Sequence, residues 1–132
     1  MELVQNRCKP TFIHEFALSK LRASGYRIAV CSNSIRTSIQ VMMEKARLNT
    51  YLEFFLSNED VARSKPDPEI YLNAMERLGL RPEECLVVED NENGIKAAKA
   101  SGAHLLTVKE ISEVNFSNIS NRIGEIEGLL RA

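Results

Sequence analysis

An excess of charge of either sign is missing from this 132-residue sequence, whose 17 basic and 18 acidic side chains leave a net charge of −1. Without a single-sign field the chain has little with which to draw in a polyanion, so nucleic acid is not the expected partner. Long apolar runs are missing as well. None approaches the roughly 18 residues that a membrane span needs, and the opening MELVQNRCKP lacks the apolar core of a signal peptide. The expected location is the cytoplasm, with no membrane contact. Cysteine is scarce. Cys8, Cys31 and Cys85 are odd in number and scattered, and two of them sit inside apolar runs. This excludes a disulfide framework or a closed zinc site and predicts reduced core thiols. Repeats, linkers and low-complexity segments are also absent. A chain of this length with 44% hydrophobic residues can bury one sizeable core, and residues 1–132 are expected as one domain.

What is present alternates between two periodicities. Phe12, Ile13, Phe16, Leu18 and Leu21 recur at helical spacing before Gly25, which predicts a helix over 11–24. The run at 26–31, with Arg27-Ile-Ala-Val at its centre, reads as a short buried parallel strand. It ends at Ser32-Asn33-Ser34, and a second helix is expected at about 35–47. Residues 53–56 form a weaker third element and 58–65 a polar loop. Asp67-Pro68 starts a helix, with Asp as N-cap and Pro at the first helical position. That helix packs Ile70, Tyr71, Ala74, Met75 and Leu78 and stops at Gly79. Cys85-Leu-Val-Val is a second buried strand that ends on Glu89-Asp90. An alanine-rich helix over 94–101, a strand over 104–108 and a tail helix with Ile119, Ile123, Ile126 and Leu130 on one side complete the chain. Strands alternating with helices predict an α/β fold with a parallel sheet covered on both faces.

Ligands of open parallel sheets bind outside the carboxyl ends of the strands, and there the pattern puts Ser32, Asn33, Glu89 and Asp90. Adjacent carboxylates at a strand end repel and lose solvation unless a cation or donor compensates, and Mg²⁺ with its oxygen ligands would do so. The competing reading is plainer, with Asp90 serving as the N-cap of the next helix. Lys65 stands just before the Pro-Asp-Pro helix start, where backbone N–H groups and the helix dipole favour a phosphate. Together these residues supply an oxyanion donor, a cation and metal carboxylates on one edge of one sheet.

The segments IAVCSNS, SKPDPEIYLNAMERLGL and CLVVEDNENGIKAAKASGAHLLTV resemble, in order and spacing, the second, third and fourth motifs of the haloacid dehalogenase superfamily of hydrolases. The resemblance is strongest to its β-phosphoglucomutase and phosphoglycolate phosphatase group and runs from about residue 10 to 108. It implies a three-layer Rossmann-like core that acts on phosphate esters of small metabolites. By the same resemblance Ser32 would hydrogen-bond the transferring phosphoryl group and Lys65 would neutralise it. Asp90 would coordinate Mg²⁺, with Glu89 orienting metal-bound water. Gly94 and Gly102 would allow tight helix packing, and Asn91 replaces the serine most often seen at its position.

One departure matters. Members of this family carry a first strand ending in Asp-x-Asp-Gly, which supplies the nucleophile and the acid/base, followed by a helical cap. The chain has no Asp-x-Asp, and residues 1–9 read as the remnant of a cap-to-core linker. The expectation is a core truncated at its N-terminus and inactive as this chain alone, with Mg²⁺ bound weakly or not at all. The alternative is a non-enzymatic, degenerate domain that binds phosphate or a protein partner. The strands at 26–31 and 85–89 should flank an empty central position. Either they close on each other, or a homo-oligomer covers the open edges.

Overall fold

A computed structural model describes residues 12–131, so Cys8 and the linker assigned to residues 1–9 lie outside the described residues. Nine regular elements follow in the expected alternation: α1 (Phe12–Ala23), β1 (Ala29–Cys31), α2 (Arg36–Lys45), β2 (Phe54–Leu56), α3 (Glu69–Leu78), β3 (Leu86–Glu89), α4 (Glu92–Ser101), β4 (His104–Thr107) and α5 (Phe116–Arg131). Gly79 and Gly102 end α3 and α4 with φ of +69° and +86°, a left-handed turn that a Cβ disfavours.

Both strand pairs are parallel. Val30 lies opposite Phe55 in one, and Val88 opposite Leu106 in the other. Successive strand residues feed opposite faces. Val30 and Val88 join Leu18, Ile39, Met43 and Ile119, while Cys31 and Val87 join Ile70, Met75, Ala97 and Ala98. Helices α1, α2 and α5 thus cover one face and α3 and α4 the other. That explains why these strands are continuous apolar runs rather than alternating ones.

The parallel sheet is interrupted between β1 and β3, where an empty central position was expected. The strands form two two-stranded sheets, β2 with β1 and β3 with β4, so direct closure of β1 on β3 does not occur among the described residues. Between the halves lies a cleft of about 410 Å³ lined by Ala29, Cys31, Leu86 and Val87, with Met75 above and Ile123 below the sheet plane. Residues from both helix layers can meet there only because the ladder is broken.

Element ends shift by a few residues. β1 begins at Ala29 rather than at residue 26, although Glu53 N–H still donates to Ile28 O at 2.8 Å. Arg27 turns outward to pair with Glu53. The loop at 58–65 contains a single 3₁₀ turn, Asn58–Asp60, in which Ser57 N–H donates to Asp60 Oδ2 at 2.7 Å. Cys31 and Cys85 are free thiols, and burial pushes Cys31 up to about 11, as a core thiol requires.

Candidate active site

The carboxyl ends of β1 and β3 converge on one ammonium group. Lys65 Nζ donates to Cys31 O at 2.8 Å and to Glu89 Oε2 at 3.1 Å, tying the two half-sheets together across their gap. Its side chain is 2% exposed and that of Glu89 is fully buried. Burial lowers Lys65 to about 8, while Glu89 and Asp90 pull it back up. The lysine is therefore largely charged at neutral pH.

Asn33 fixes the backbone behind that ammonium. Lys65 N–H donates to Asn33 Oδ1 at 3.1 Å, and Asn33 Nδ2 donates to Lys65 O at 3.3 Å. Its side chain clasps the lysine loop. Ser32 is buried at the end of β1, where its Oγ accepts Ser34 N–H at 3.1 Å. These two residues are brought to Lys65 because a strand end and the loop before α3 meet there.

At the start of α3, where the spacing put a phosphate, one backbone N–H already has an acceptor within the chain. Asp67 Oδ1 accepts Glu69 N–H at 2.9 Å, and the Glu69 carboxylate accepts the N–H groups of Ala62 and Arg63 at 2.8 and 3.3 Å. The expected Asp67 cap is displaced: α3 begins one residue later, at Glu69, with Pro68 in the N-cap position and no side-chain cap hydrogen bond. Lys65 Nζ reaches the strand ends.

Glu89 and Asp90 separate. Glu89 Oε2 accepts both Lys65 Nζ and the Tyr71 hydroxyl, the latter at 2.6 Å, and its Oε1 accepts Asp90 N–H at 3.2 Å. Gly94 makes the space, since a Cβ there would lie 1.9 Å from Glu89 Cδ. Asp90 remains half-exposed at the strand end. It is not the helix cap, because Asn91 Oδ1 takes Gly94 N–H at 2.8 Å and frees Asp90 from that duty.

A magnesium ion demands about six oxygen ligands in near-octahedral array. Among the described residues no three His, Cys, Asp or Glu side chains gather to hold a metal, and Glu89 already accepts three hydrogen bonds from protein donors. Asp90 offers one carboxylate, so the described side chains do not complete a Mg²⁺ site by themselves. What they do provide is a buried, braced cation beside a serine and a half-exposed acid.

Tyr71 is the residue that sequence reasoning missed. It reads as one more apolar position of α3, yet it is 2% exposed. A buried phenol seeks a hydrogen-bond partner, and that was the available signal.

Comparison with known proteins identifies the family. Residues 2–108 match the haloacid dehalogenase-like hydrolase family. A haloacid dehalogenase-like hydrolase domain-containing protein of Arabidopsis thaliana is 34% identical over 76% of the chain and 34% of its own length. A phosphoglycolate phosphatase of Nitrosospira multiformis is 34% identical over 69% of the chain and 40% of its own length. The chain thus spans less than half of these curated relatives. A β-phosphoglucomutase structure from Clostridium difficile superposes with a TM-score of 0.72 at 19% identity, covering 84% of this chain and 55% of that one. A family hydrolase from Deinococcus radiodurans, solved with bound phosphate and sodium, gives 0.66 at 36% identity over 70% and 41% of the two chains. With the motif residues gathered at the strand ends of a matching α/β core, the chain belongs to the haloacid dehalogenase-like hydrolase family.

Proposed function

We propose that this chain supplies the phosphate-facing side of a phosphatase or phosphomutase site for small phosphorylated metabolites. The observation that carries the reading is Lys65, whose ammonium is braced between the ends of β1 and β3 by Cys31 O and Glu89. A fixed cation costs no reorganisation when charge arrives on a phosphoryl group. Ser32 supplies a hydroxyl and Asp90 a carboxylate at the same edge. The phosphoglycolate phosphatase relative and the phosphate-bound Deinococcus structure support this class of ligand.

Turnover is a separate matter. The sequence has no Asp-x-Asp pair, and deleting the nucleophile of a comparable covalent enzyme costs on the order of 10⁶-fold. This chain alone is therefore proposed to bind phosphate without hydrolysing esters. Asp90 is proposed as the carboxylate it offers to Mg²⁺, which would bind weakly there.

A generic aryl phosphate with Mg²⁺ tests the reading. The expected rate is no faster than that of Asp90→Asn. A Mg²⁺-dependent rate that disappears in Asp90→Asn would place a nucleophile among these residues and overturn the inactivity. Repeating the assay on the chain extended by whatever its gene encodes upstream separates two cases. Activity gained on extension supports an enzyme, and no gain favours the non-enzymatic phosphate-binding domain.

A further inference from the structure

Tyr71 is buried at the centre of the candidate site, yet nothing in the phosphate reading uses it. Its hydroxyl donates to Glu89 Oε2 at 2.6 Å, the same oxygen that receives Lys65 Nζ at 3.1 Å. The carboxylate also rests against Gly94, in space that a Cβ would fill at 1.9 to 2.4 Å from Cδ, Oε2 and Cγ. We propose that Tyr71 is a positioning residue, whose hydroxyl holds the Glu89 carboxylate in the Gly94 recess so that Glu89 can fix the ammonium of Lys65.

The geometry explains why a second donor is needed. A carboxylate at a strand end can rotate about its own side chain, and one hydrogen bond to a flexible lysine would let both groups move. Tyr71 belongs to α3, which begins four residues after Lys65, so one short stretch of chain carries both the cation and the clamp on its counter-ion. Burial and Glu89 push the Tyr71 phenol up, keeping it a donor throughout the working range. The ring also lies 5.0 Å from Lys65 Nζ, a second and separable contact.

The functional consequence rests on the reading of Lys65 as a phosphate-binding cation, and the test keeps the two apart. In ¹⁵N-labelled chain near pH 6, the Lys65 ammonium should give a sharp, slowly exchanging ¹H–¹⁵N signal. Tyr71→Phe keeps the ring and loses the hydroxyl. It should broaden that signal or lose it to solvent exchange, and weaken binding of inorganic phosphate about tenfold, the scale of one hydrogen bond to a charged group. Met75→Leu, on the same buried face of α3, should change neither. A Tyr71→Phe protein with wild-type signal and affinity overturns the proposal. So does a defect in Tyr71→Leu alone, which would assign the effect to the ring. If the signal responds to Tyr71→Phe but no form binds phosphate, the positioning role stands and the phosphate reading fails. The unmodified chain provides a check that no misfolded variant can spoil. Its Tyr71 hydroxyl proton should appear as a slowly exchanging downfield resonance, and its absence overturns the proposal.

Discussion

Replacing Gly94 by alanine sets two opposed effects against each other. In an ordinary helix interior, alanine is favoured over glycine by about 1 kcal/mol. At this position a Cβ would lie 1.9 Å from Glu89 Cδ and 2.0 Å from Oε2, so either the carboxylate leaves its recess or α4 moves. If it leaves, Lys65 and Tyr71 lose the partner they share, and the lysine side chain is only 2% exposed. Breaking one side of a buried ion pair costs about 3–5 kcal/mol. Subtracting the helix gain leaves a destabilisation of about 2–4 kcal/mol. For a chain of this size that lowers Tm by roughly 10 °C. Thermal and urea unfolding followed by far-ultraviolet circular dichroism would measure it. The control is the same substitution in a Glu89→Ala background, where no carboxylate remains to be displaced and the cost should vanish. A Gly94→Ala chain as stable as wild type would refute the reasoning. An equal loss in both backgrounds would refute it as well, since the clash would then lie elsewhere.

The lowered pKa of Lys65, about 8 in the fold against 10.5 unperturbed, moves loss of its charge to mildly alkaline pH. Phosphate binding, read as the rise in Tm with added phosphate, should weaken as pH climbs through about 8, and a profile flat to pH 10 would contradict it. The linked stability change has the opposite sign. Between about 8 and 10.5 the unfolded chain holds a proton that the folded chain has released, so this group's contribution favours the fold as pH rises. Calorimetry at micromolar Mg²⁺ should show little heat, because Asp90 alone is a poor cage. Tight binding that survives Asp90→Asn and Glu89→Gln would put the metal elsewhere. The apolar cleft between β1 and β3 leads us to expect association of copies of the chain, which light scattering would show as a mass rising with concentration. A folded monomer at every concentration would refute that expectation.

The alternation of elements was legible because both strand runs are apolar throughout and both are bounded by small polar or acidic residues. Val30-Cys31 and Val87-Val88 divide between two helix layers, as strands buried on both faces must. Convergence of Ser32, Lys65, Glu89 and Asp90 was legible for a related reason, since the carboxyl ends of parallel strands lie along one edge. The fate of the helix terminus before Glu69 was harder to see. Only the three-dimensional course of the loop decides that Asp67 takes Glu69 N–H while the Glu69 carboxylate folds back onto the loop N–H groups of Ala62 and Arg63. Asn33 likewise reads as a ligand-facing residue until the loop at 65 is seen to close on it.

The pairing of Glu89 with Asp90 contains its own correction in the geometry of a strand. Glu89 is the last residue of β3 and keeps the strand's alternation, whereas Asp90 lies just beyond it and is not held to that pattern. Val87 already packs on the face covered by α3 and α4, and Glu89, two residues on, must share that face. There it meets Tyr71 from α3 and the recess at Gly94 in α4, and the ammonium of Lys65 completes its surroundings. Asp90 is left at the end of the strand, half-exposed, with Asn91 taking over the cap of α4. The end of β3 therefore separates the acidic pair. One carboxylate, Glu89, holds the buried ammonium of Lys65 from inside, and the other, Asp90, lies half-exposed just beyond the strand.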